Sequence, residues 1–400
     1  MVQKHTSADL WKIRIYFALY IGAGGFLYPF ISLYYKQVGL TGAQMGLLAS
    51  LGWTISMLAA PLWGRWGDTA RKPKLVLQIA LVGAGLSNLF LGLQNTFLAI
   101  ALFIAIGSFF DNSLGALSTT HALATTGGTK SGFGSVRLFG SIGWAVVAPL
   151  AGWMIERTGL FVPFAGYAVS SILAALLLAF IASQRTSNLP QAKEVHPSFR
   201  QVLANLARNR SMLGLAIAFF VVWLTGTGRA QFEAIYLTQL GAGEGLVGVA
   251  NAIGAIIEPP FMLLSDRFVR RFGAGAVLRS ALLFQAGGMT AVVTIPSVAS
   301  IIVFRAVQGI SFSLLTVSMV SYIMEGAPPG QSATVLSLYD VTLHGLVIML
   351  AALLNGVFFD LLGAYWLYAI GLGGTLLGWL ILRLTASQVQ SPEGSAVPSI

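Results

Sequence analysis

Cysteine is absent from the 400 residues, which excludes structural disulfides, zinc–thiolate sites and thiol nucleophiles together. Charge is nearly as scarce. Charged residues make up 9% of the chain, against roughly 25% in soluble globular domains. Acidic residues are the fewer of the two signs, 13 beside 23 Lys and Arg, and histidine occurs 4 times. His and carboxylates are too scattered along the chain for a metal site, and no HExxH or GxSxG stretch is present. An intramembrane enzyme or receptor is therefore a remote alternative, and neither a cofactor nor a metal is expected. The net charge of +10 does not point to nucleic acid either, because in so apolar a chain basic residues mark the loops left outside a membrane.

What fills the chain is hydrophobic surface: 56% of residues are apolar and the mean hydropathy is +0.80. Runs long enough to cross roughly 30 Å of hydrocarbon lie near 11–35, 43–63, 75–93, 97–122, 136–156 and 162–183. A second set lies near 211–237, 245–265, 275–294, 298–324, 333–358 and 363–384. The expected fold is all-α and embedded in the lipid bilayer, with twelve transmembrane helices; barrel strands would not give such continuous runs. Lys4, Lys12 and Arg14 flank a first run too long for a cleavable leader, so that run is expected to be a signal-anchor. The expected domains are 1–184 and 210–386, each a six-helix bundle, joined by a linker at 185–209 and followed by a tail at 387–400.

Orientation is read from the loops. The stretch from Gly64 to Lys74 packs Arg65, Asp68, Arg71, Lys72 and Lys74 between two apolar runs, and hydrocarbon excludes such charge density. With the N-terminus inside, the inner loops take these residues together with Lys130, Arg185, Lys193, Arg200, Arg208, Arg210, Arg267, Arg270, Arg271 and Arg279. The outer loops keep only Lys36 and Arg157. Both termini are thus expected in the cytoplasm, with the chain in the plasma (inner) membrane.

The halves repeat each other. Tyr34, Gly39 and Gly46 recur 202 residues later as Tyr236, Gly241 and Gly248, and Gly107 and Gly309 keep that offset. Pro61 and Asp68 recur after 198 residues as Pro259 and Asp266. Gly152, Glu156 and Gly159 recur after 204 residues as Gly356, Asp360 and Gly363. A parallel duplication of this kind places the binding cavity between the halves, near mid-membrane.

Together these features resemble the major facilitator superfamily. The Gly64–Lys74 loop is similar to its signature between the second and third helices, and the stretch from Ser265 to Arg271 resembles a degenerate second copy. The run from Phe133 to Trp144 resembles the fifth helix of lactose permease and its relatives. Glu258-Pro259 and the stretch from Tyr322 to Pro329 resemble the phenylpropionate-permease and nucleoside–proton-symporter side of that group. The resemblance implies alternating access by two pseudo-symmetric bundles. It also implies a secondary active transporter that imports a small ring-containing organic solute with a proton: a sugar, a nucleoside or an aromatic acid. An exporter or uniporter of the same fold is the other reading. A single chain is expected to suffice, with the proton as coupling ion.

Polar residues inside apolar runs are the candidates for that chemistry. Glu258 lies eight residues before Asp266, about 12 Å along a helix, where a carboxylate can load and release a proton as water access alternates. Glu233 and Asp111 are the other candidate proton carriers. Arg229 and Glu233 stand four apart on one helix face and are expected to pair. Arg305, Gln308 and Asn112 join Arg229 as candidate solute contacts, with Tyr20, Tyr28 and Asn251 lining the cavity by pseudo-symmetry. By resemblance Trp144 offers a flat face on which a ring stacks, and Arg137 precedes it on the same stripe. Asp340 and His344 form an i, i+4 pair near the inner end, expected to make a local salt bridge. Asp68, Arg71, Lys72 and Asp266 are expected to latch the cytoplasmic side, Asp68 against the helix start near 333 and Asp266 near Arg137. Two departures bear on the solute. Gln308 and Ser311 stand where lactose permease has its histidine–glutamate proton pair, and Thr119, Thr120 and His121 replace its sugar-binding glutamate.

Overall fold

The computed structural model describes residues 7–69, 72–126, 130–181, 208–328 and 331–385. Helices α1 (Ser7–Leu27) and α2 (Ile31–Gln37) make the first crossing, followed by α3 (Gly42–Thr69), α4 (Pro73–Leu91), α5 (Phe97–Thr125), α6 (Lys130–Thr158) and α7 (Val162–Ala179). The second half contains α8 (Arg210–Gln239), α9 (Glu244–Phe272), α10 (Ala274–Thr294) and α11 (Val298–Gly326). It continues with α12 (Ser332–Ser337), which runs through a π-helical turn (Leu338–Leu343) into α13 (His344–Leu362), and closes with α14 (Ala364–Thr385). Among the described residues these helices supply 12 segments long and apolar enough to cross a membrane. Helix is the form that satisfies every backbone N–H and C=O within its own segment, which hydrocarbon demands. The ends follow local signals. Pro73 and Pro163 sit in first turns, where a missing N–H is harmless. The Asn209 side chain accepts from the N–H groups of Ser211 and Met212, and Ser297 and Ser300 form a reciprocal capping box at α11.

The duplication is visible in the packing. Within the first half, the contacts are α1 on α6 and α7, α4 on α5 and α7, and α3 on α5. Within the second half the counterparts are α8 on α13 and α14, α10 on α11 and α14, and α9 on α11. Gly39 and Gly241, one repeat apart, turn the chain at φ 85° and 89°, a region glycine enters without steric cost.

An even number of crossings puts both ends of the described chain at one face, called here the terminal face. The halves meet along two equivalent seams, α3 on α13 and α6 on α9. At the opposite, far face these seams are tight. A Cβ on Gly46 would collide with the carbonyl of Ala352, and one on Gly248 with the carbonyl of Ala148, so the two glycines are what lets the backbones touch. Each seam is also pinned by a carboxylate from the other half. Asp360 accepts from the Gly42 and Ala43 N–H groups at 2.6 and 2.8 Å, and Glu156 accepts from the Gly245 N–H at 2.8 Å. These are helix N-termini, where free N–H groups and the helix dipole favour negative charge. Toward the terminal face the seams part. A Cβ on Gly345 would still meet the Met57 sulfur at 3.4 Å, but one on Gly64 of α3 or Gly134 of α6 would meet nothing within 4 Å beyond its own helix, among the described residues.

The far-face caps are exposed, so each contributes about 1 kcal/mol. Because the chain has no native cysteine, a Ser32→Cys reporter inside the far end gives a clean thiol probe. Adding Glu156→Gln and Asp360→Asn together is expected to speed its labelling from the far side about tenfold, and an unchanged rate would mean that the caps do not hold the seam.

Candidate functional site

Between the halves lies a cavity of two lobes, about 670 Å³ and 530 Å³, which share Tyr20, Ile21 and Trp144 as a common wall. The first lobe is built almost wholly from the first half, with Ala230 and Gln231 contributed by α8. The second draws on both halves and includes Arg137, Asn251, Glu258, Arg305 and Gln308.

In the first lobe Asp111, at the middle of α5, accepts from the hydroxyls of Tyr28 and Tyr167, both at 2.5 Å. Tyr28 in turn lies parallel to Trp144, ring centroids 6.2 Å apart and planes at 15°. Gly24 makes room for this arrangement, since a Cβ there would stand 2.8 Å from the Trp144 ring. Asn112 donates to the Ser56 carbonyl at 2.7 Å, which fixes its amide and leaves its oxygen to the lobe. Aromatic faces, a carboxylate and an amide thus converge, and among the described residues no Lys or Arg lines this lobe.

The second half holds a denser polar cluster. The expected Arg229–Glu233 pair is replaced: Glu233 accepts from Arg305 Nε at 2.5 Å and from the Tyr368 hydroxyl at 2.9 Å. Arg305 reaches Glu233 across from α11 and donates a second bond to Asn251 at 3.1 Å, a fork that the flat guanidinium suits. Arg229 instead lies over the Phe304 ring, 4.8 Å from its centroid, where its charge meets the negative ring face. Glu258 stands midway along α9 and lines the second lobe. Arg137 lines the same lobe. The Pro259–Pro260 pair after Glu258 removes two N–H groups from the helix, and Ser313 donates to the Glu258 carbonyl at 2.8 Å.

The remaining candidates lie elsewhere. His344 sits at the end of the π-helical turn, 4.5 Å from the Trp223 ring and 6.4 Å from the Trp53 ring. Asp340 is exposed within that turn. The expected salt bridge between them is not among the ion pairs of the described residues, because the wider π turn rotates the i, i+4 register. Asp266 and Arg137 are both exposed and unpaired with each other, in keeping with seams parted at that face. Lys72 is exposed just before α4. Arg71 and the Asp68 side chain lie outside the described residues. Tyr167, Tyr368, Trp53 and Phe304 are contributors that the sequence reading passed over. A signal for the first two existed: Tyr167 and Tyr368 are 201 residues apart, close to the repeat offset, and each hydroxyl donates to an intramembrane carboxylate.

Comparison with known proteins agrees with this architecture. The model of a family described as "MFS_1 like family" matches residues 10–370. Maltose permease of Geobacillus stearothermophilus is 27% identical over 390 residues, covering 96% of this chain and 95% of that protein. Multidrug resistance protein MdtG of Salmonella paratyphi B is 27% identical over 257 residues, 60% of this chain and 62% of that one. Among solved structures, the nucleoside transporter NupG superposes with a TM-score of 0.76 at 17% identity, covering 94% of this chain and 98% of that one.

The Glu233 network makes a direct prediction. Glu233→Gln leaves the part-buried Arg305 guanidinium without its carboxylate and is expected to destabilise the protein by about 3 kcal/mol. Replacing both partners by leucine and methionine should recover most of that loss. Thermal unfolding in detergent measures both; equal losses in the single and double variants would remove the pairing argument.

Proposed function

The chain belongs to the MFS_1 like family, and on that premise we propose that it is a proton-coupled symporter importing a polyhydroxylated ring solute of the sugar class. That it is a multi-pass membrane transporter follows from the family and the twelve spans. The finer reading rests on one observation: Asp111 and Asn112 open into the same lobe as the parallel rings of Tyr28 and Trp144. A sugar ring presents an apolar C–H face to an indole and a rim of hydroxyls to acceptors. A carboxylate already accepting two tyrosine hydroxyls is shaped to exchange one of them for a solute hydroxyl. The name of the maltose permease relative points the same way.

The basic terminal-face residues, Arg65, Lys72, Lys74, Arg267, Arg270 and Arg271, support a cytoplasmic terminal face. On that assignment the structure is open to the cytoplasm and sealed outside by the Asp360 and Glu156 caps. Solute and proton are released in this state. Glu258 is the proton carrier of this proposal: it lies half-exposed in the second lobe, with Arg137 offering its carboxylate an opposite charge once the proton has left. Rocking the halves about the seams would withdraw Glu258 from the cytoplasm and return it to the outside for reloading.

Labelled maltose in proteoliposomes tests the proposal. An inside-alkaline gradient is expected to drive accumulation, and Glu258→Gln to abolish it while preserving exchange of labelled for unlabelled solute. Accumulation indifferent to the gradient would refute symport, and extrusion against it would make the protein an exporter. Trp144→Ala is expected to raise the half-saturating concentration roughly tenfold, the worth of one ring contact; an unchanged value would place the solute away from this wall.

A further inference from the structure

Arg229, Arg305 and Glu233 carry a net charge of +1 inside the membrane. Arg229 is 7% exposed and Glu233 2%, and the Arg305 side chain is 17% exposed. Arginine does not shed its proton, so this excess cannot be neutralised by deprotonation, as a buried lysine would be.

The hydrogen bonds show the same deficit. Both Glu233 oxygens are taken, one by Arg305 Nε and one by the Tyr368 hydroxyl. The Asn251 oxygen serves Arg305 Nη2. Among the described residues the acceptor that either guanidinium reaches next is the Gln308 amide oxygen. In one orientation it lies 3.4 Å from Arg305 Nη1; turned over, it accepts from Arg229 Nη1 and Nη2 at 3.2 and 3.3 Å. An amide has one oxygen, so it serves one guanidinium at a time: the orientation that accepts from Arg229 gives up the bond from Arg305 Nη1. Arg229 Nε has no partner in either case among the described residues. Glu258 cannot supply the missing charge, because it follows Asn251 by seven residues on α9, about 10 Å along the helix. Asp111 belongs to the other lobe.

We propose that the far wall of the second lobe is an anion subsite, in which one small negative group lies between Arg229 and Arg305 and displaces the Gln308 amide. Gln308, Arg305 and Asn251 form the wall of the lobe, and Arg229 stands directly behind Gln308. A carboxylate or a halide supplies both the charge and the acceptors that the amide cannot, and two guanidinium groups bind such a group far better than a neutral oxygen. The anion is either a carboxylate carried by the solute itself or a free halide bound with it. The proposal deepens the transport reading: the two lobes meet at Trp144, so a ring stacked there reaches the subsite with a charged substituent.

The test is a binding measurement on the purified full chain, without a gradient, so its failure leaves the maltose flux result untouched. Thermal unfolding is followed at constant ionic strength. In one arm sodium chloride replaces the bulky sulfonate of a morpholine buffer salt; in the other glucuronate replaces glucose. One of the two is expected to stabilise the chain saturably, as a ligand of the folded state does; chloride identifies a bound halide and glucuronate a solute carboxylate. Arg229→Gln should weaken that response at least tenfold. Gln308→Glu places a carboxylate in the gap, so it should raise the unfolding temperature and abolish the response to added anion. The proposal is overturned by a parent chain that ignores both anions, or by a Gln308→Glu chain that is less stable or still responds. This second variant decides the matter even if Arg229→Gln does not fold.

Discussion

Hydrocarbon neither donates nor accepts a hydrogen bond, and it solvates no charge. Every polar group within the spans must therefore be answered by the protein itself or by water in a cavity. The twelve spans are the backbone's response to that constraint. The Glu233–Arg305–Tyr368 cluster, the two tyrosines on Asp111 and the carboxylates that cap helix ends across the far face are the side chains' response. Where the answer is complete, the structure is closed and rigid. Where it is incomplete, as at Arg229, Glu258 and the first lobe, there is room for a solute, an ion or a proton.

Duplication converts these local answers into a machine with two equivalent seams. In each seam a glycine lets the backbones touch and a carboxylate from the opposite half caps the helix that begins there. Each cap lies at the periphery, where water can replace it, so its contribution is small. A gate held by a few weak contacts can open on the timescale of transport, whereas one held by buried ion pairs would be expensive to break. The dense cluster is kept instead within the second half, between α8, α11 and α14, away from both seams.

Much of this was legible in the sequence. Apolar run length gave twelve helices, and the offsets of Gly39, Gly46, Glu156 and Gly159 gave the duplication and its turn positions. Intramembrane charge picked out Asp111, Glu233, Glu258, Arg229 and Arg305 as the polar core. Partnership was not legible. Arg229 and Glu233 share a helix face, yet Glu233 turns to Arg305, because the choice depends on how α8 and α11 are rotated against each other. The π turn before His344 was hidden for a related reason: it arises from packing on the neighbouring helices, and nothing in Leu338–Leu343 forbids an ordinary helix. Nor does the sequence say which face is shut, since the same residues build both states and only the positions of the seams differ.

The central claim is that one solute and one proton cross together through the cavity between the halves. The most direct measurement is the pH of a weakly buffered medium outside de-energised proteoliposomes that hold the protein with its terminal face inward. Maltose added outside should enter down its gradient and carry protons with it, so the external pH should rise transiently, and the rise should vanish when a proton-conducting ionophore short-circuits the membrane. Sugar entry with no change in external pH would contradict the account.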